Sequence, residues 1–279
     1  MIAVIGAGIM GTGIALDFAL NGYNVVLIDI SEEVLNTAKS KLRSDLRMVK
    51  MVKEQFQQVT LEEVLGRIRF EIGLQSVAEA NFVIENIPEN WQLKEQLYKE
   101  LNPLMKKDMT LAINTSCIEI AKVATCFNHP DRVIGAHFMN PVPLKKMVEV
   151  IKSPLTEEDT LADMKKTLAT LGKKAIVVND KPGFVSNRVS HLYMNEAAML
   201  LEEQVASAAD IDQIFTLGYG HAMGPLATAD LIGIDTVVNS LEVLYDSYKD
   251  NRFMCCKLLR EMVGKGLLGR KSGEGFFKY

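Results

Sequence analysis

The opening residues constrain this chain more than any other stretch. Met1-Ile-Ala-Val-Ile reads as an apolar strand that runs straight into Gly6-Ala-Gly8-Ile9-Met10-Gly11, a G-x-G-x-x-G turn. A helical apolar pattern follows through Ile14, Ala15, Phe18 and Ala19, and a second apolar strand, Asn24–Asp29, ends on a carboxylate. The motif alone is weak evidence; the strand before it, the helix after it and the acid at the next strand end give it weight. In this setting the glycines allow a tight turn, a pyrophosphate close to the backbone, and close helix–strand packing. Phosphates would lie on the helix N-terminus beside Ile9 and Met10, where free N–H groups and the dipole favour negative charge. The plain alternative is a glycine-rich turn in some other α/β protein.

Asp29 narrows the expectation. Its carboxylate can accept both ribose hydroxyls of an adenosine and would repel a 2′-phosphate. The following Ile30 and Ser31 offer no arginine to receive one, so the cofactor expected is NAD rather than NADP.

With 279 residues, 48% of them hydrophobic, the chain can bury a large core and divide into two domains. A net charge of −4 gives no case for nucleic acid. No apolar run is long enough to span a membrane, and the first strand begins too early for a signal or transit peptide. The cysteines Cys117, Cys126, Cys255 and Cys256 show no metal-ligand spacing. Reduced thiols in a cytoplasmic protein without a metal site are the expectation.

Strand and helix patterns alternate over the first two-thirds, which predicts an α/β fold: a Rossmann-type doubly wound sheet. Ser31 can cap a helix carrying Lys39, Arg43, Arg47 and Lys50 on one face. With a second charged helix near Leu61–Arg67, this reads as a helical-arm insertion over about 38–66. Its basic stripe suits either a solvated face or a dock for a phosphorylated carrier. Further strands are expected at Arg67–Glu71, Asn81–Glu85, Leu111–Asn114, Arg132–His137, Lys146–Ile151 and Lys174–Val178. Ligands gather at the carboxyl ends of strands in open α/β sheets, and Asp29, Glu85, Asn114, Ser116 and His137 all fall there.

The breaker cluster Asn179-Asp-Lys-Pro182-Gly183 marks a boundary between an NAD-binding domain, 1–181, and a substrate and dimerisation domain, 182–279. Helix patterns at Phe184–Glu203, Ala208–Leu217, Leu226–Leu231 and Asp235–Tyr248 make the second domain all-α. Its apolar surface exceeds what a bundle of that size hides, so a homodimer is expected.

His137 and Glu149 flank the loop Phe138–Val148. If the strands on either side run antiparallel, the two side chains meet. A carboxylate beside an imidazole fixes its tautomer and makes a better base for an alcohol proton. A lone histidine at a strand end is more often structural, but an acid partner and a dinucleotide domain favour dehydrogenation.

Here the residues match a known family. The chain resembles the short-chain L-3-hydroxyacyl-CoA dehydrogenases, the bacterial 3-hydroxybutyryl-CoA dehydrogenases most closely. The resemblance rests on the glycine turn, Asn114-Thr-Ser116, Gly135-x-His137-Phe-x-Asn140-Pro-x-Pro, Val148-Glu149-Val-Ile and Pro182-Gly-Phe-x-x-Asn187-Arg. Met223-Gly-Pro-Leu and Leu268-Gly-Arg-Lys271-x-Gly-x-Gly-Phe extend it to the end of the chain. It implies that His137 is the catalytic base, Glu149 its partner, Ser116 a ligand of the substrate oxygen, and Asn187 a ligand of that oxygen or of the thioester carbonyl. Glu89, Lys94, Asn140 and Lys271 match cofactor-contacting positions. Asn114 and Asn140 are short amides suited to nicotinamide or substrate on their own account.

The departures are specific. Cys117 stands where the family has a second serine, Met139 replaces an aromatic residue, and Pro88 is unusual. Gly220-His221-Ala222-Met223 and Ala227-Thr-Ala-Asp230 differ from the family's usual Asn-His-Pro-Met and Leu-Glu-x-x-Asp. The first alternative is therefore a hydroxyacyl group on an acyl carrier protein instead of CoA. The second is a non-catalytic NAD-binding protein like the related lens crystallins, against which the intact Ser116, His137, Glu149 and Asn187 argue.

Overall fold

The computed structural model describes all of residues 1–279, which divide into two compact units, Met1–Asp180 and Lys181–Tyr279. The first is built on one eight-stranded sheet. Its strands are β1 (Ile2–Ile5), β2 (Val25–Asp29), β3 (Ile68–Ile72), β4 (Phe82–Glu85), β5 (Thr110–Ile113), β6 (Val133–His137), β7 (Met147–Lys152) and β8 (Lys174–Asn179). They lie in the order β3-β2-β1-β4-β5-β6-β7-β8. The central strands are mostly apolar because helices cover both faces; β1, β4 and β5 are buried at every residue. The order reverses beside β1, which opens a crevice at the carboxyl ends of β1 and β4, where such sheets take their ligands.

The glycine turn leads into α1 (Ile9–Leu20). Ser31 caps α2 (Glu32–Val52) by accepting a hydrogen bond from the Val34 amide at 3.4 Å. This helix buries Leu35, Ala38, Leu42, Leu46 and Val49 on one stripe, the spacing of an amphipathic helix. The expected arm is thus the outer half of one continuous helix, followed by α3 (Leu61–Gly66), and its apolar residues Leu42, Leu46, Val49, Phe56 and Val64 join the first unit's core. Thr60 and Glu63 close a reciprocal capping box at the start of α3. The remaining helices of this unit are α4 (Trp91–Leu101), α5 (Ile120–Ala124) and α6 (Glu158–Thr170).

All sheet pairs are parallel except β6 with β7. That reversal follows from chain length: a connection with only a 3-10 turn at Val142–Leu144 is too short for a crossover helix.

The second unit is helical: α7 (Ser186–Glu202), α8 (Ala208–Gln213), α9 (Pro225–Ile232), α10 (Ile234–Tyr248) and α11 (Lys257–Gly264). They enclose a core of Met194, Ala198, Leu226, Ile234, Leu241, Leu259 and their neighbours. The helix expected over Ala208–Leu217 passes into a π-turn at Ile214–Gly218. Asp230, in one of the segments that depart from the family pattern, clasps the C-terminal tail: its carboxylate accepts from the amides of Phe276 and Phe277 and from the Tyr279 hydroxyl, at 2.9, 2.9 and 3.0 Å.

Candidate active site

The glycine turn fits a pyrophosphate. Gly6 sits at φ +94°, and a Cβ there would come within 2.8 Å of the Asn86 carbonyl oxygen. A Cβ on Gly11 would stand 1.8 Å from the Gly6 carbonyl oxygen, so α1 meets the turn only because that position is bare. Gly8 has nothing within 4 Å of its Cβ direction and no side chain caps the helix there. The space above the α1 N-terminus is open, lined by amides and bordered by Ile9, 61% exposed, and Met10. Asp29 is held against this turn: its Oδ2 accepts from the Ala7 amide at 2.7 Å and its Oδ1 from Ile30 at 2.8 Å. Each oxygen keeps a lone pair for a ribose hydroxyl. These residues match what an adenine dinucleotide without a 2′-phosphate requires.

Across the sheet, β6 and β7 pair so that His137 lies directly opposite Glu149. Nδ1 of His137 is 3.1 Å from Glu149 Oε2. The carboxylate can only accept, so Nδ1 carries the hydrogen and Nε2 presents its lone pair. That lone pair faces Ser116 Oγ at 3.4 Å. The Glu149 side chain is 3% exposed, so its charge acts on the imidazole with little screening by water.

The loop that presents Ser116 is fixed by Glu89. Its Oε1 accepts from the amides of Ser116 and Cys117 at 2.9 and 3.0 Å, and from the Thr115 hydroxyl. Asn114 links three strand ends, donating to Asn86 Oδ1 at 2.8 Å and accepting from the Phe138 amide at 3.1 Å. The residue after His137 is thereby tied to β5.

Lys94 and Glu85 are placed differently from the sequence expectation. Glu85 stands at the end of β4, but its carboxylate is sealed rather than offered to a ligand. It accepts from Lys94 Nζ at 2.8 and 2.7 Å, from Tyr98 Oη at 2.8 Å and from the Ile87 amide at 2.7 Å. Burial pushes the Glu85 carboxyl up, and the Lys94 ammonium and Tyr98 hydroxyl pull it back. Burial, then the Glu85 charge, drives the Tyr98 hydroxyl far above its ordinary range. Lys94 is itself fully buried, with Glu89 Oε2 3.9 Å from its ammonium. Asn140 is exposed on the connection after β6. In the second unit, Asn187 lies in α7, its carbonyl bonded to His191 Nδ1 at 2.7 Å, and Lys271 pairs with Asp235.

No sequence pattern distinguishes the Glu85–Lys94–Tyr98 cluster from a solvated helix face. The one available signal is the step of nine and thirteen residues from the strand end to one side of α4.

A family model described as the 3-hydroxyacyl-CoA dehydrogenase NAD binding domain matches residues 1–181, and the C-terminal domain model of the same family matches 183–279. This chain belongs to the 3-hydroxyacyl-CoA dehydrogenase family. It is 45% identical, over 99% of each chain, to a probable 3-hydroxybutyryl-CoA dehydrogenase of Deinococcus radiodurans. It is 37% identical to the 3-hydroxybutyryl-CoA dehydrogenase of Bradyrhizobium diazoefficiens, over 100% of this chain and 94% of the relative. The crystal structure of (S)-3-hydroxybutyryl-CoA dehydrogenase from Ralstonia eutropha superposes with a TM-score of 0.93 at 38% identity, covering 100% of this chain and 98% of that one. As a member of the family the chain is an NAD-dependent oxidoreductase, and residues 1–181 are its NAD-binding domain.

Proposed function

We propose that this dehydrogenase interconverts 3-hydroxybutyryl-CoA, or a closely related short 3-hydroxyacyl thioester, with its 3-oxo form. The observation that carries the reading is the His137–Glu149 pair, in register across β6 and β7, with Ser116 on the far side of the imidazole. NAD, when bound, supplies the acceptor for the hydride that leaves the hydroxyl-bearing carbon. His137 Nε2 takes the hydroxyl proton, and Glu149 stabilises the imidazolium that results. Ser116 Oγ orients the substrate oxygen toward Nε2 and donates to it as it becomes a carbonyl. In the reverse direction the same imidazolium returns the proton. Glu89 holds the Ser116 loop, and Asn114 holds the start of the connection behind His137. Asn187 is assigned to the substrate by its motif, and Asn140 and Lys271 to the cofactor.

The carrier is a second question. The outer face of α2 presents Arg43 and Arg47, both exposed, which suits the phosphates of CoA and equally the phosphopantetheine and acidic surface of a carrier protein. CoA is the favoured carrier because the named relatives above act on CoA esters. Turnover of one acyl group on CoA and on carrier protein, read by NADH absorbance, decides it. Higher kcat/KM with CoA is expected, and a strong preference for carrier protein overturns that part of the reading.

We also propose a homodimer through the second unit. Val205, Ile214, Leu217, Leu231 and Met254 are each at least half exposed there, and exposed apolar surface of this kind, where it is contiguous, marks protein–protein contacts.

A further inference from the structure

The first unit holds a second buried charge pair, away from the acid–base pair. Asp17, on α1, is fully buried, and so is Lys173, just before β8. Lys173 Nζ lies 3.0 Å from Asp17 Oδ2. The two form a buried ion pair. The ammonium also donates to the carbonyl oxygens of Val142 and Lys145, both at 2.6 Å. These carbonyls bracket the Val142–Leu144 turn, the middle of the connection from His137 to Glu149. Burial pushes the Asp17 carboxyl up and the Lys173 ammonium down, and each charge pulls the other back. A pair that costs this much desolvation is a poor source of stability; what it supplies is a fixed arrangement.

That arrangement joins the two halves of the active site. Gly13, one helical turn before Asp17, lies so close to the same connection that a Cβ would stand 3.3 Å from Val142 Cγ2. Residues four apart share a helix face, so α1 grips the connection at Gly13 and again, through Lys173, at Asp17. The other end of α1 is the pyrophosphate turn. Lys173 also precedes Lys174, which pairs with Met147 at the start of β7. One ammonium therefore fixes the His137–Glu149 connection against both the nucleotide helix and the edge of the sheet.

We propose that Lys173 and Asp17 are positioning residues that set the location of the His137–Glu149 pair relative to the cofactor held by α1. The pair touches neither substrate nor cofactor, and acts through the Val142–Lys145 backbone. A shift of the connection by a few tenths of an ångström displaces the base from the hydroxyl proton, which slows chemistry while the glycine turn still binds the dinucleotide. This inference rests on the dehydrogenase reading above, and turnover by the unaltered enzyme is the control that separates the two.

The test compares the unaltered enzyme with Lys173→Met, Asp17→Asn and the double variant Asp17→Leu/Lys173→Met, at a temperature where circular dichroism shows each folded. For Lys173→Met, kcat is expected to fall at least tenfold while the NADH dissociation constant stays within twofold. The primary isotope effect on kcat with 3-deuterated substrate is expected to rise, because hydride transfer becomes more rate-limiting. A partly unfolded enzyme would lose rate without that change. The double variant removes both buried charges, so its melting temperature recovers relative to Lys173→Met while kcat does not. Should Lys173→Met fail to fold, Asp17→Asn keeps the volume and is expected to lower kcat severalfold with the same isotope signature. The inference is overturned if the folded variants keep kcat within twofold, if rate and NADH affinity fall together, or if the double variant regains kcat with its melting temperature.

Discussion

At the scale of single residues, the pairing of His137 with Glu149 was readable because chemistry names the two side chains. A histidine at one strand end and a glutamate at the next strand face each other only if the strands reverse, and the short connection enforces reversal. The groups that support them were not readable. Glu89 was assigned to the cofactor by resemblance, and the hold of its Oε1 on the Ser116 loop, through the Ser116 and Cys117 amides, had no local signal. Glu85 looked like a ligand residue at a strand end, and the fold buries it under Lys94 and Tyr98. A carboxylate's neighbours from a later helix are a tertiary fact that no local pattern carries. Removing one partner of such a pair leaves an uncompensated buried charge, so Lys94→Met is expected to cost about 3–5 kcal/mol. Urea unfolding of the variant beside the unaltered protein measures it; a cost below about 1 kcal/mol would mean that water reaches Glu85 after all.

At the scale of elements, the strands were legible to within a residue or two, the central ones because both-face burial demands apolar runs and the outer β3 and β8 from their β-branched and aromatic content. Helix ends were legible where a cap marks them, as Ser31 does for α2. The helix Lys257–Gly264 went unread: it begins at Cys256 without a side-chain cap and follows the polar turn Asn251–Phe253. The capping box of α3 makes a pH prediction. The Thr60 amide, and after it the Thr60 hydroxyl, hold the Glu63 carboxyl below the usual range. A depressed folded-state value means that the contribution is complete above the ordinary glutamate range and is lost as pH falls through the folded value. The melting-temperature difference between the unaltered protein and Glu63→Gln should therefore be largest near neutrality and shrink below about pH 4. A difference that grows on acidification would reverse the sign and contradict the box.

At the scale of the whole molecule, the chain forms two units, each with a core of its own. No helix is long and apolar enough to cross a membrane. Self-association was argued from surplus apolar helix surface, and the exposed side chains of the second unit keep that argument standing. Sedimentation at micromolar concentration is expected to give the mass of two 31.0 kDa chains, and a single-chain mass would remove the dimer.

The proposed function makes His137, oriented by Glu149, the base of a 3-hydroxyacyl thioester dehydrogenase. NADH formation from (S)-3-hydroxybutyryl-CoA and NAD, followed for the unaltered enzyme and for His137→Gln, tests it most directly. The unaltered enzyme should turn over, and His137→Gln should lose about 10²–10⁴-fold in kcat while binding NADH with unchanged affinity. Turnover by His137→Gln at the unaltered rate, or none by the unaltered enzyme, would contradict the account.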